Sequence, residues 1–567
     1  MKRYIKIRNR NLQSYSMLIA TGMNFIVFLF NVFICYPVSE TGDDSVMMSI
    51  VSGGYGEYSS YIVFSNIFYS KIIVLLTAYI GGINWYTAIQ FLIIFLAFTC
   101  ITYVLLRKFS YRLGSILAVA FLICFSYDMY VSYQFTKSAA IATASGCFLL
   151  FYFLEQDKIK IGWSSVGVIF ILIGSLIRFY SFLAVMGIFS VLGVIRVVFY
   201  FIKKQYKCIW RYVIVFSLTI LSSFGFYLAD KAVYNSQPDW KEYKEYNSMR
   251  SKIRDYPIPI YEENTEAYKN IGMSKNDYDN LLQWNIGDTQ YYTIDLYQKI
   301  LNISSQKNEG KNDKQSFARG ISFYYDRYME MNWTQCYAIV FFLLLIMATR
   351  EKKSDICIAG IIPLIMILIF SLYLYFQGRY GLQRIELILW IAGWLLMLSL
   401  IKDDEFDKAP GVCIFIIVCM LLNLSCFQKY KINIDNKDSM KQAKQEVRKF
   451  YDYMNENKDK VYLLDATSGY MGEAINLFEE YPLGYCDNVL GLGGWYTKSP
   501  IMLANKKYHG IENIFADTVD NQHIYIVDKQ EIDVEVQYIK EHYNKDAYAE
   551  KVEQIGSYNI YSIKTTQ

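Results

Sequence analysis

Histidine is nearly absent. His509, His523 and His542 are the only three in 567 residues, and all lie near the C-terminus. A histidine base or zinc site in the rest of the chain is excluded, so acid–base chemistry there must use carboxylates or tyrosine. Cysteine is informative by placement. Ten of the eleven (Cys35, Cys100, Cys124, Cys147, Cys208, Cys336, Cys357, Cys413, Cys419 and Cys426) lie in or beside apolar runs, and Cys486 alone sits in long polar sequence. That pattern holds no disulfide framework and no CxxC metal pair. Gly491-Leu-Gly-Gly494 lacks the lysine of a P-loop and the GxGxxG spacing, so it reads as a turn. An excess of one charge is lacking too. The net charge is +4 and, beyond a short basic N-terminus, no charged tail exists. Neither nucleic acid nor a strongly acidic substrate is implied. No internal repeat is evident.

Apolar sequence is abundant. The chain is 54% hydrophobic and 17% aromatic, with mean hydropathy +0.18 despite 19% charged residues. The apolar residues fall in blocks of roughly 17 to 22, the length that crosses hydrocarbon. The chain therefore reads as an α-helical polytopic membrane protein. The first run, Met17 to Tyr36, is too long for a signal-peptide core and has no A-x-A-like cleavage site, so it reads as a retained first span. Further spans are expected near 85–106, 113–127, 137–154, 163–177, 181–202, 212–229, 333–349, 356–376, 385–401 and 411–427, about eleven in all. Tyr61 to Ile80 is apolar but contains Asn66 and Lys71, and reads as a helix on the membrane surface. That choice puts Arg107, Lys108 and Arg112 inside. Nineteen Lys and Arg then lie at inside ends against five outside: Lys71, Lys137, Arg178, Arg379 and Arg384. This bias places the basic N-terminus in the cytoplasm and, with an odd span count, the C-terminus outside the cell membrane. Cys486, if exposed, is then within reach of membrane-impermeant thiol reagents.

Four parts follow. Residues 1–229 form an N-terminal membrane module with a first outer loop at 37–84. Residues 230–332 are a large outer subdomain, too long for a simple connection. Residues 333–427 return to the membrane, and 428–567 form an extracytoplasmic α/β domain. Within the outer subdomain, Ser274-Lys-Asn-Asp277 is a helix-start signal followed by Tyr278, Leu281, Leu282 and Trp284 at amphipathic spacing. Arg250, Asp255 and Asp277 are its candidate acceptor-binding residues; the alternative is a structural helical cap. In the C-terminal part, Lys441 to Asn455 and Val536 to Tyr543 read as helices. Lys460 to Asp465, His523 to Asp528 and Tyr558 to Ile563 read as strands.

The stretch of most interest is Glu40-Thr-Gly-Asp43-Asp44, directly after the first span. Two adjacent carboxylates resist ionising together, so one is a candidate proton acceptor. A solvated loop or helix cap is the plainer alternative. Lys137, Arg178, Arg379 and Arg384 break the inside bias at the same leaflet. They are either interfacial anchors or the basic walls of a phosphate site, where Arg supplies a bidentate fork and Lys a point charge. Glu386 is near enough in sequence to pair with Arg384 instead. The first loop offers few clustered oxygen ligands, so neither a metal nor another cofactor is expected.

An outer acidic pair after the first span (Gly42-Asp43-Asp44), a surface helix (Ser65-Asn66-Ile67-Phe68), then Asn84-Trp85-Tyr86 opening a span that ends in Arg107-Lys108, resembles the GT-C superfamily of membrane glycosyltransferases. The likeness covers roughly residues 15–400. It implies transfer of a sugar from a polyprenyl-phosphate carrier, at a membrane-lipid surface, to a hydroxyl of a glycan acceptor, a hexosyltransferase-type reaction. It also implies Asp43 as base, Asp44 in support and the basic residues on the leaving phosphate. The acids are adjacent and not spaced as DxD, and no tryptophan-rich oligosaccharyltransferase motif is present. A polysaccharide polymerase or ligase, a lipid-linked glycan transporter or flippase, and a non-catalytic glycan-assembly protein are the other readings. A transporter would show repeated halves and broken midplane helices.

Overall fold

The computed structural model describes residues 15–156, 160–307, 313–351, 355–401, 426–530 and 532–566. Among them, eight helices are long and apolar enough to cross a membrane: Ser16–Ile34, Trp85–Lys108, Tyr111–Val131, Phe135–Leu154, Phe179–Ile202, Tyr206–Asn235, Ile356–Phe376 and Gln383–Leu400. A ninth is formed if Ser316–Glu330 and Asn332–Ile346, which meet at 80°, act as one broken span. The chain is a multi-pass membrane protein. The difference from the expected eleven has two sources. The run at 163–177 forms the helix Ile161–Ile177, whose 17 residues reach about 26 Å, slightly short of the hydrocarbon thickness. The basic N-terminal tail and all but the last two residues of the run at 411–427 lie outside the described residues. Ile67–Tyr79 is a helix of 13 residues, about 20 Å long and too short to span unaided.

Phe135–Leu154 is the axis of the bundle and is buried along its whole length. Its Ala139, Ala140, Ala142, Ala144, Ser145 and Gly146 are small enough to let neighbouring backbones approach, which is how membrane helices pack without a hydrophobic drive between them. Phe179–Ile202 and Tyr206–Asn235 keep apolar residues such as Val194, Phe201, Leu218 and Leu221 exposed, as a lipid-facing surface requires. A short parallel pair, β1 (Val38–Ser39) and β2 (Ser132–Tyr133), ties the chain leaving the first span to the end of the third apolar helix. Glu40 N–H then donates to the Tyr133 carbonyl (3.0 Å). The segment that follows is thereby held against the bundle axis.

The C-terminal domain is a five-stranded sheet of order β4-β3-β5-β7-β6, with β3 Val461–Leu464, β4 Val489–Gly491, β5 Ile524–Asp528, β6 Ala547–Ile555 and β7 Tyr558–Thr565. The first three strands are parallel, and β7 pairs antiparallel with β5 and β6. Helices Lys437–Glu456, Pro500–Tyr508 and Asp533–His542 accompany it. The expected helices and the 461, 524 and 558 strands are present. β4, β6 and the Pro500 helix are additions, since three-residue β4 is too short to show a period and β6 is largely polar.

The 230–332 segment is helical, with Pro238–Arg254, Thr265–Asn270, Lys275–Leu282, Ile294–Lys307 and Asp313–Glu330. It is interlocked with the C-terminal domain. Asn285 Nδ2 donates to Asp465 and Glu535 (2.7 Å each), Asp288 accepts from Tyr538 and Tyr543, and Gly287 N–H donates to the Leu492 carbonyl (2.7 Å). Cys486 is buried, its thiol donating to the Gly54 carbonyl (3.2 Å). Reagent labelling at Cys486 therefore cannot report on topology in the folded protein.

Candidate active site

The two carboxylates begin a helix, Gly42–Val51, where the positive end of the helix favours acidic residues. Adjacent helical positions point about 100° apart, so the two side chains have different surroundings. Asp44 turns into the protein and is 1% exposed. Its Oδ1 accepts from Tyr86 Oη (2.9 Å), Gln90 Nε2 (3.3 Å) and the Phe135 N–H (3.1 Å). Phe135 opens the axial helix, so this last donor is one of the N–H groups a helix start leaves without a partner. Asp44 Oδ2 is buried without a hydrogen bond. Burial pushes the Asp44 carboxyl up to about 7, against the three hydrogen bonds.

That shift has a consequence for stability. The folded pKa lies above the ordinary carboxylate value, so the fold favours the protonated form. The stabilisation is complete below about pH 4 and is lost as pH rises toward 7, on the order of 4 kcal/mol from this group. Thermal melts in detergent should therefore show stability falling across that window, and Asp44→Asn should flatten the fall. An unchanged slope in the variant would show that Asp44 does not carry it.

Asp43 makes no hydrogen bond and no ion pair within 4.0 Å among the described residues. It is closely surrounded by protein yet keeps part of its surface open, as at the floor of a recess. Burial pushes its carboxyl up, and the positive charges of Arg384, Arg178 and Arg250 oppose that shift, while Asp255 adds to it. Three segments distant in sequence thus act on one carboxylate.

The arginines are only partly neutralised. Arg384, half-buried at the start of the Gln383–Leu400 helix, has no hydrogen bond or ion pair among the described residues. Arg178 lies between Ile161–Ile177 and Phe179–Ile202, donates to the Phe64 carbonyl (3.2 Å), and stacks over Phe64 and Phe135. Arg250 is 2% exposed. Its Nε donates to Asn247 Oδ1 (2.8 Å), it stacks over Trp284, and its Nη1 is buried without a partner. Arg379 lies 3.7 Å from Asp255, with a buried, unpartnered Nε. Four guanidiniums therefore face two carboxylates, and burying charge without compensation is costly. The arrangement fits an anionic group placed beside Asp43.

Of the residues picked from sequence, Asp43, Arg178, Arg250, Asp255, Arg379 and Arg384 belong to this constellation. Lys137 does not offer a free ammonium: it pairs with Glu40 (2.5 Å) and donates to the Asp128 and Ser132 carbonyls. Asp277 closes the capping box with Ser274 and accepts from Tyr291 Oη (2.6 Å) and His542 Nε2 (2.7 Å), which makes it part of the contact with the C-terminal domain. Glu386 pairs with Arg327, not Arg384: Arg327 Nε donates to both carboxylate oxygens (2.7 and 2.8 Å). The broken helix at 316–332 brings Arg327 there, and no local spacing announces it. Tyr470, also unforeseen, reaches the Asp43 helix from the loop after β3.

Among the described residues, two groups of side chains could hold a cation, each with ligand atoms within 4.8 Å of one another: Asp277, Glu541 and His542, and the buried Asp465, Asp528 and Glu535. Neither includes Asp43 or Asp44. The second group sits at the carboxyl ends of β3 and β5, beside a recess of about 710 Å³ lined by Asp465, Thr467, Asp528 and Lys529. That is the position where open α/β sheets bind ligands.

No family model matches the chain, and no curated protein matches it. Two solved structures are similar over most of its length: ArnT from Cupriavidus metallidurans bound to undecaprenyl phosphate, and the same protein in the apo state. Identities are 9% and 8%, each alignment covers 96% of this chain and 97% of the other, and the TM-scores are 0.41 and 0.42. At those scores the likeness carries no inference about what this chain does.

Proposed function

We propose that the protein is a membrane glycosyltransferase of the GT-C type that moves a sugar from a polyprenyl-phosphate donor to a hydroxyl of a glycan acceptor at the outer face. The observation that carries this reading is the Asp43 carboxylate, without a hydrogen bond or ion pair among the described residues, within electrostatic reach of Arg178, Arg250 and Arg384. Asp43 takes the proton of the acceptor hydroxyl. The acceptor oxygen attacks the anomeric carbon as the carbon–oxygen bond to the lipid phosphate breaks. The phosphate gains negative charge as it leaves, so guanidiniums already in place favour the transition state over the bound donor. No metal enters this scheme. The arginines without the base would suit a polymerase or ligase, and replacing each group in turn separates the two.

The test compares transfer from a synthetic polyprenyl-phosphate sugar by purified wild type, Arg178→Ala, Arg379→Ala, Arg384→Ala and Arg384→Lys. Arg384→Ala should lower turnover about a hundredfold, as loss of one preorganised donor does. Arg384→Lys keeps the charge, loses the fork, and should fall in between. Membrane insertion should be unharmed, because removing a cation from a helix end makes insertion easier. Wild-type rates and donor affinity in all four variants would reduce the arginines to interfacial anchors.

A further inference from the structure

The loop between β3 and β4 carries Tyr470 onto the first turn of the Asp43 helix. A Cβ built on Gly42 would lie 2.1 Å from Tyr470 Cε2 and 2.4 Å from its Cζ, so the hydroxyl-bearing end of the ring rests on the residue next to Asp43. Two residues on, a Cβ on Gly472 would lie 2.3 Å from Ser45 Oγ and 2.9 Å from Ser45 Cα. The loop and the helix therefore meet backbone to side chain at two points one helical turn apart. The C-terminal domain is seated on the turn that bears Asp43.

The Tyr470 hydroxyl has no hydrogen-bond partner among the described residues, and the ring is only partly buried. The charges acting on it are carboxylates: Asp43, Glu473 and Asp465. Those acting on Asp43 are led by three arginines. Tyr470 thus packs on the residue next to Asp43 and lies within electrostatic reach of its carboxylate, and no arginine is among the charges acting on the phenol. In a displacement at the anomeric carbon the incoming hydroxyl and the departing phosphate lie on opposite sides, and the base sits with the incoming group. Burial also pushes the Tyr470 phenol up to about 12, which keeps it a hydrogen-bond donor at neutral pH.

We propose that Tyr470 of the C-terminal domain is a specificity-determining residue on the acceptor side of Asp43, holding a carbohydrate acceptor with its hydroxyl and its ring. The inference rests on the transferase reading and adds a role for the soluble domain. It makes the site a joint product of the first loop and the last domain. A sugar suits the place, since a ring face takes its C–H surface and the phenol takes one of its hydroxyls.

The experiment uses the full chain in detergent, a panel of polyprenyl-phosphate hexoses as donors, and methyl and octyl hexosides as acceptors. Tyr470→Phe keeps the ring on Gly42 and removes only the hydroxyl. It should raise the acceptor KM by about 3- to 10-fold, the range of one neutral hydrogen bond, with donor KM unchanged. Tyr470→Ala should shift the products from transfer toward hydrolysis of the donor, in which water replaces the acceptor and yields free sugar and polyprenyl phosphate. A purely structural tyrosine would lower transfer and hydrolysis together. If wild type transfers sugar and both variants keep its acceptor KM and its transfer-to-hydrolysis ratio, the role of Tyr470 is refuted while the transferase reading stands. If wild type moves no sugar from any donor, the transferase reading fails and this inference falls with it.

Discussion

Asp43→Asn should lower sugar transfer by roughly 10²–10⁴-fold, the usual cost of losing a general base. The substitution keeps the shape of the side chain and removes only its basicity. Asp43 has no bond partner to lose among the described residues, so the fold should survive. Two further observations make the prediction specific. Asp44, its neighbour, is tied by Tyr86, Gln90 and Phe135, and Asp44→Asn should cost less turnover and alter the pH dependence of melting instead. Acid should also mimic the substitution, because burial pushes the Asp43 carboxyl up and a protonated acid cannot accept. Transfer by wild type should therefore fall as pH falls, and the residual activity of Asp43→Asn should not follow that fall. Full transfer by Asp43→Asn at normal expression would make the pair a structural cap and no base.

Arg327→Ala should cost roughly 3–5 kcal/mol of stability, the range for leaving a buried charge without its partner. Glu386 is 1% exposed, and Arg327 supplies both hydrogen bonds to its carboxylate. Arg327 Nη2 also donates to the Gly381 carbonyl (2.8 Å), within the turn that carries Arg379 and Arg384. The variant should therefore loosen that turn as well as strand Glu386. Replacing both partners, as Arg327→Met with Glu386→Gln, should recover much of the loss, because no uncompensated charge remains. The measurement is the melting temperature in detergent of wild type, Arg327→Ala, and the double Arg327→Met with Glu386→Gln. Equal stability of Arg327→Ala and wild type would show that solvent or lipid relieves Glu386.

The legible part of this protein is the part governed by local chemistry. Apolar block length marked the spans because hydrocarbon thickness sets helix length wherever the chain sits. The charges beyond Tyr61 to Ile80 favoured a surface helix over a span, and the helix formed there, Ile67–Tyr79, has 13 residues, too few to cross unaided. The capping box at Ser274 and the buried strands at Val461 and Ile524 were readable because caps and strand runs act within a few residues. Asp43 and Asp44 stood out for a similar reason: a charge pair next to a span is visible without a partner.

Other features depend on pairings the chain makes across hundreds of residues. The sequence, by its residues alone, could not separate Asp43 from Asp44, although the family resemblance named Asp43 as the base; their different surroundings depend on which side of one helical turn meets Gln90 and Phe135. It offered Glu386 to Arg384 because they are neighbours, whereas an 80° break before Asn332 delivers Arg327 instead. It counted Lys137 with the arginines, although Glu40, just after β1, claims that ammonium. Nothing local marked Tyr470, whose approach depends on Gly42 having no side chain. By itself the sequence determined the membrane class, the helical spans, the acidic pair and the α/β character of the last domain, because each follows from the solvent or from near neighbours. Only the tertiary structure decided which charges meet. Coulomb energies and hydrogen bonds depend on distance in space, and in this protein that distance is set by packing between segments far apart in the chain.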